Sequence, residues 1–378
     1  MTHRHPSKAL RLLCVLLALV SLLAACNDDS SEEDDSGSTP TTTQVSRDDA
    51  GGSAGDQSNG TTVRVMVHDS VAMDTEMLAA FEAESGIAIE LVPSGDAGSM
   101  VNEAVLAKDD PLADVIYGVD NTFLPVALSN GILTKWQGSI SGLGQVPREL
   151  QVGDEPVVPV DYGEVCVNAD VEAITTAGVP MPETLDDLAS EEYKGLLVVE
   201  DPRQSSPGLA FLLATVSEFG EDGWEGFWED LKANDVLVSG SWETAYFDEF
   251  SGAGDGARPL VVSYSTSPAA EAIYAEEPLD EVHTVSIPGT CARQIEYAGV
   301  LKGTRVAPEA GKVLDFFLSK EFQERVAADM FMYPARQDAA IPSEFEKFAP
   351  PPQTSTELPS LSVDEREELL RSWTELMG

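Results

Sequence analysis

The chain reads as an α/β protein with largely parallel sheets, and three features of its sequence carry that reading. From about residue 61 onward, short apolar runs bounded by turn residues alternate with amphipathic stretches. Nearly every apolar run ends in an acid, a hydroxyl or an aromatic, and in this class of fold ligands settle at the carboxyl ends of strands. No apolar run beyond the N-terminus is long enough to span a bilayer.

The predicted strands cover residues 63–67, 87–92, 114–117, 157–160, 196–199, 236–238, 260–263 and 296–301. Predicted helices lie between them at 77–85, 99–107, 209–219, 224–232, 269–275 and 308–329. The spacing is too irregular for a repeat protein.

Residues 1–25 read as a secretory signal. Arg4, Lys8 and Arg11 form a basic start, the run from Leu12 to Leu23 an apolar centre, and Leu23-Ala24-Ala25-Cys26 a cleavage site. The cysteine after Leu-Ala-Ala resembles the lipobox of bacterial lipoproteins, in which the thiol takes a diacylglycerol. Residues 26–60, with Glu32-Glu33-Asp34-Asp35, contain almost nothing that could build a core and read as an acidic, self-repelling leash.

Composition narrows the function. The 22 basic and 66 acidic residues give a formal charge of −44, which repels nucleic acid and anionic lipid surfaces. Apolar residues make up 43% of the chain, enough for one large or two medium folded units. With Cys14 in the signal and Cys26 at the lipid site, Cys166 and Cys291 remain in an oxidising compartment, where a disulfide is expected and a free buried pair is the alternative. His68 and His283 are the only histidines beyond the signal, so a histidine-based metal or acid/base site is not expected. No Gly-x-Ser-x-Gly, His-Glu-x-x-His or Gly-Lys-Ser/Thr pattern occurs, and the chain does not read as an enzyme.

The residues after the strands supply a binding constellation instead. Asp69, Asp96 and Asp120 offer acceptors from the first half of the chain. Ser205, Ser206, Pro207 and Gly208 dress a helix start that would suit an anion, although such a start taken alone is usually just a cap. Trp242, Tyr246, Tyr264 and Phe331 offer flat faces for a planar heterocycle, and a cation on that ring would gain from them.

In order and spacing, these loops resemble the thiamine-binding proteins of bacterial ABC importers. The resemblance rests on Asp69-Ser70, Asp96 with Gly98, Ala113-Asp114-Val115, Gly118 with Asp120-Asn121, and Asp161-Tyr162-Gly163. It continues through Asp201-Pro202-Arg203, the run from Ser205 to Leu209, Trp242 with Ala245-Tyr246, Ser263-Tyr264 with Thr266-Ser267-Pro268, and Met332-Tyr333-Pro334.

The resemblance implies a type II periplasmic-binding-protein fold, two α/β lobes with a ligand cleft between them. Lobe 1 would span about 61–160 plus part of 290–378, and lobe 2 about 161–289. It further implies ligand contacts from Asp96, Ser205, Trp242 and Tyr264, with the Ser205 loop meeting the hydroxyethyl or phosphate tail. Three positions depart from the family pattern: His68 and Phe331 exchange one flat ring for another, and Ala270 loses a tyrosine ring.

The function so implied is capture of thiamine or a thiamine phosphate outside the cytoplasmic membrane for an ABC importer permease, without cofactor or metal. The receptor would be a monomer held to the membrane only through its N-terminal lipid. A ferric-ion or polyamine receptor on the same fold is the alternative, with a surface hydrolase behind it.

Overall fold

The computed structural model describes residues 60–136, 138–275 and 277–378; Cys26 and the leash lie outside the described residues. The strands, in chain order, are β1 Thr61–Val67, β2 Ile87–Pro93, β3 Val115–Asp120, β4 Leu133–Thr134, β5 Val157–Asp170 and β6 Leu197–Glu200. They continue as β7 Leu237–Ser239, β8 Leu260–Tyr264, β9 Thr284–Ser286, β10 Ala292–Leu301 and β11 Tyr333–Pro334. The helices used below are α1 Thr75–Ser85, α2 Ala97–Leu106, α3 Leu124–Ser129, α4 Ser206–Phe219, α5 Trp224–Ala233, α6 Ser267–Ile273, α7 Ala307–Phe317, α8 Lys320–Met330 and α9 Val363–Met377.

Every predicted strand is present, but the expectation of largely parallel sheets is corrected. One mixed sheet runs β2-β1-β3-β10-β5-β8-β6-β7, with β11 and β9 added to β5 and β4 to β10. Its two ends are parallel, through β1 with β2 and β3 and through β6 with β7 and β8. Its middle is antiparallel, because β10 and β5 pair with each other, β10 with β3, and β5 with β8. Each parallel end needs helical crossovers, which is what the alternation in the sequence records. β5 and β10 instead run through the middle and tie the two ends into one sheet.

Local chemistry sets the helix bounds. Asp74 accepts from the backbone N–H groups of Glu76 and Met77 to start α1, which stops at Gly86 with φ 70°. The helix expected over 308–329 is broken at Leu318-Ser319, because the Ser319 side chain accepts from Phe322 N and starts α8 afresh. Helix α9 was not anticipated, although its start is a capping box: Ser362 and Glu365 each satisfy the other's backbone N–H.

The core fills both sides of the sheet. All six residues of β3 are buried. Trp228 lies fully buried beneath α4, edge-on to Phe211 at 5.7 Å, and its indole N–H donates to Thr215 Oγ1 at 3.0 Å. Trp373 of α9 meets the same Trp228 edge-on at 5.5 Å. Cys166 of β5 and Cys291, next to β10, form the expected disulfide across 125 residues of sequence.

Candidate functional site

The strand ends at the middle of the sheet converge on one buried region. From the β3 side come Asp96 and Asp120. Asp96 caps α2, its Oδ1 accepting from Ala97 N at 2.7 Å and its Oδ2 from Trp242 N at 3.1 Å. Asp120 is wholly buried; its Oδ1 accepts from Thr122 N at 2.6 Å and Thr122 Oγ1 at 2.5 Å, and its Oδ2 from Ser206 Oγ. Gly98 N also donates to Gln204 O at 2.7 Å, an approach that a Cβ at residue 98 would block, since it would lie 2.6 Å from that oxygen. Residues 96, 98 and 120 are thereby bonded directly to 242, 204 and 206. Burial pushes both carboxyls above their usual range, against the pull of these hydrogen bonds.

The aromatic faces meet on the β6–β8 side. Trp242 stacks on Tyr246 with ring centroids 5.2 Å apart and planes 17° apart, and Tyr264 lies 6.0 Å from it at 62°. The Trp242 indole N–H donates to Ser263 Oγ at 2.9 Å, which fixes the ring's orientation. Tyr246 belongs to a single π-helical turn, Thr244–Glu249, a backbone form frequent at functional sites. Phe331 stands apart from this stack: it ends α8 with φ 54° and meets Tyr274 at 5.2 Å.

The long middle strands add polar groups that the sequence reading did not single out as ligand-binding. Gln294 and Glu296 of β10 are buried, and Gln294 Nε2 donates to Tyr264 Oη at 3.1 Å and to Glu296 Oε1 at 3.0 Å. Both neighbours of β10 shift register near this point: β5 carries Val160 as an extra residue opposite Glu296 and Tyr297, and β3 carries Gly118 as one opposite Tyr297 and Ala298. Glu296 Oε2 lies 3.4 Å from His68 Nε2. Burial works against the imidazolium there, but Glu296, with Asp96 and Asp120, outweighs it and raises the His68 pKa. Asp161 of β5 accepts from Tyr117 Oη at 3.0 Å; burial and the nearby Glu296 push its carboxyl well up.

Two predicted residues do structural work in this geometry. Asp69 is exposed, and its Oδ1 accepts from Gly95 N at 3.1 Å, joining the loops after β1 and β2. Gly208 lets α4 close on β6, since a Cβ there would sit 2.6 Å from Glu200 O. Ser205 holds the cap position of α4, yet its side chain makes no cap hydrogen bond. Its buried Oγ lies beside the Asp96 carboxyl without a hydrogen bond of ordinary geometry. Glu200, Ser265 and Thr266 are likewise buried, with side-chain oxygens that have no partner. Glu200 escapes sequence reading because it follows Leu197-Val198-Val199 as the last residue of a strand, where a surface acid would look the same.

Comparison with known proteins agrees with this architecture. Two curated relatives are the thiamine-binding periplasmic proteins of Salmonella typhimurium and Escherichia coli. They are 29% and 28% identical over 313 residues, in each case 82% of this chain and 91% of the relative. A solved periplasmic thiamin binding protein superposes with a TM-score of 0.73 at 26% identity, covering 84% of this chain and 97% of its own. The iron-bound HitA of Pseudomonas aeruginosa superposes with a TM-score of 0.64 at 19% identity and shares the fold. The mixed sheet is thus that of the type II periplasmic binding proteins. Over residues 110–354 the sequence matches the profile of the bacterial extracellular solute-binding proteins, and the chain belongs to that family.

Proposed function

We propose that this protein is an extracytoplasmic receptor that captures thiamine or a thiamine phosphate and delivers it to an ABC importer. The observation that carries the reading is the juxtaposition of an aromatic stack, Trp242 on Tyr246 with Tyr264 at its edge, and a set of acids, the half-buried Asp96 with the buried Asp120, Asp161, Glu200 and Glu296. A flat ring would gain from stacking, and a fixed positive charge on that ring would gain from both the π faces and the carboxyls. Thiazolium joined to aminopyrimidine combines these properties. The names of the relatives support the same ligand.

In this reading the two parallel ends of the sheet belong to two lobes, about 61–160 plus part of 290–378 and about 161–289. Asp96, Asp120, Ser205, Ser206, Trp242 and Tyr264 lie where the lobes meet, and closure on the ligand is the signal presented to the permease. A diacylglycerol on Cys26 would hold the monomeric receptor to the outer face of the cytoplasmic membrane, with residues 27–60 as its tether. Titration calorimetry with thiamine, thiamine monophosphate, spermidine and ferric citrate tests the ligand. Saturable binding of the thiamine compounds alone is expected, and tighter binding of spermidine or ferric citrate overturns it.

A further inference from the structure

Two large aromatic side chains meet away from the central stack. Tyr274 closes α6 and keeps 44% of its surface exposed, while Phe331, half-buried, closes α8. Their ring centroids lie 5.2 Å apart with planes inclined at 59°. The two helices belong to opposite ends of the sheet. α6 is tied to β8, because Ser267 Oγ lies 2.9 Å from Ser263 Oγ, the same oxygen that receives the Trp242 indole N–H. α8 is tied to β3, since its Phe322 meets Tyr117 edge-on at 6.3 Å. The Tyr274–Phe331 contact therefore joins the two ends through side chains alone. Next to Phe331, the Met332 thioether and the Tyr264 ring both flank Gly163 of β5, where a Cβ would lie 3.0 Å from Met332 Sδ and 3.5 Å from Tyr264 Cδ1. On the other side, Tyr274 N donates to Ala270 O at 3.1 Å, which sets the Tyr274 ring one turn beyond Ala270 and outside the buried cluster of Ala269, Ala327, Tyr333 and Phe345. The pair is thus the outer end of a seam that starts at the stack.

Phe331 holds its place at a cost. Its φ of 54° is left-handed, a conformation that α1 and the helix ending at Ala177 give to Gly86 and Gly178. Glycine would make the same turn more cheaply, so the turn does not account for the ring. A bulky side chain kept in such a conformation points to the contact it makes. We propose that Tyr274 is a ligand-retaining residue: it clasps Phe331 across the cleft when the lobes close, and the clasp slows release of the bound ligand. This rests on the two-lobe thiamine reading above. Opening must part the two rings, because one rides with β8 and the other with β3. A tilted aromatic pair is a weak fastener, so it slows release by roughly 10-fold and leaves the cleft free to open. Tyrosine suits the outer partner, since its hydroxyl end tolerates water while its ring packs.

The test is a kinetic cycle: thiamine association and release are measured by stopped-flow fluorescence, and unfolding midpoints in denaturant, for wild type, Tyr274→Phe, Tyr274→Ala, Phe331→Ala and the double alanine variant. Tyr274→Ala should release thiamine roughly 10-fold faster, with association changed by less than about two-fold. Tyr274→Phe keeps the ring and should release within about two-fold of the wild-type rate. On a Phe331→Ala background, Tyr274→Ala should have no further effect, because the partner is already gone. Release at the wild-type rate in Tyr274→Ala overturns the proposal, whether or not its unfolding midpoint falls. A full further acceleration in the double variant also overturns it, since that marks two independent contacts rather than a clasp. A wild type that does not bind thiamine overturns the thiamine reading and this one with it.

Discussion

The two sides of the candidate site treat their polar groups in opposite ways. On the β3 side, the carboxyl oxygens of Asp96 and Asp120 all accept hydrogen bonds, two of them from Trp242 N and Ser206 Oγ across the site. On the β6–β8 side, Glu200, Ser205, Ser265 and Thr266 have buried oxygens with no partner. An unpaired buried polar atom costs about 1–3 kcal/mol, whereas a satisfied one contributes modestly. In the reading proposed above, the satisfied side acts as a latch between chain segments, and the unsatisfied side is the surface that a ligand would complete.

Trp242 belongs to both sides, so its removal is the severest way to break the distinction. Trp242→Ala should weaken thiamine binding by roughly 100-fold or more through the lost stacking and cation–π contact, read by calorimetry. Full retention of affinity would remove the centre of the site. The latch is tested next by Asp120→Ala, which strips the acceptor from Thr122 and Ser206. We expect a loss of about 2–3 kcal/mol in denaturant unfolding. Stopped-flow binding should show faster ligand release with little change in association. The milder Ser206→Ala deletes one latch bond and should cost about 1 kcal/mol, with release faster by a few-fold.

The smallest effect is a pH dependence that sharpens the electrostatic contrast. Asp96, Asp120, Asp161 and Glu200 have folded-state pKa values raised above the unfolded ones, and so does His68. Each therefore binds protons more readily when folded. Its stabilisation is present below the unfolded pKa and is lost as pH rises through the folded one. The carboxyls with lowered values, such as Asp74, Asp187 and Asp338, act below about pH 4 and oppose this only there. The ligand-free protein should thus have a lower Tm at pH 8 than at pH 5 by calorimetry, and thiamine should restore more of it at pH 8. A Tm that rises over that interval would show that the buried acids do not govern stability.

The same contrast separates what the sequence disclosed from what it hid. Strands with continuous apolar runs, such as β6 and β8, are legible because burial on both faces writes itself as Val and Leu. The disulfide was legible because elimination left two cysteines in an exported chain. The central strands were read too short: β5 continues from Val160 through Asp161, Tyr162, Gly163 and Glu164, and β10 begins before Gln294 and Glu296. Polar residues there look like a loop, yet they are strand residues aimed at a site. That also concealed the antiparallel middle of the sheet. Of the site itself, the aromatic stack and the latch acids came from loop positions that announce themselves, whereas Glu200 and Glu296 required the register of neighbouring strands.

Helix α9 has a practical consequence. Arg366 lies over the Phe123 ring at 4.5 Å beside α3, while Trp373 meets Trp228 of α5 and Lys232 Nζ donates to Leu376 O at 2.6 Å. The last helix is therefore a brace between α3 and α5, which flank opposite ends of the sheet, and it lies wholly beyond residue 354, where the family profile stops. An expression clone trimmed to that profile would discard the brace and leave Trp228 without its edge-on neighbour. With the helix retained, the Trp228–Trp373 pair is a built-in fluorescent gauge: if the two ends of the sheet swing apart, its emission should report the movement without any added dye.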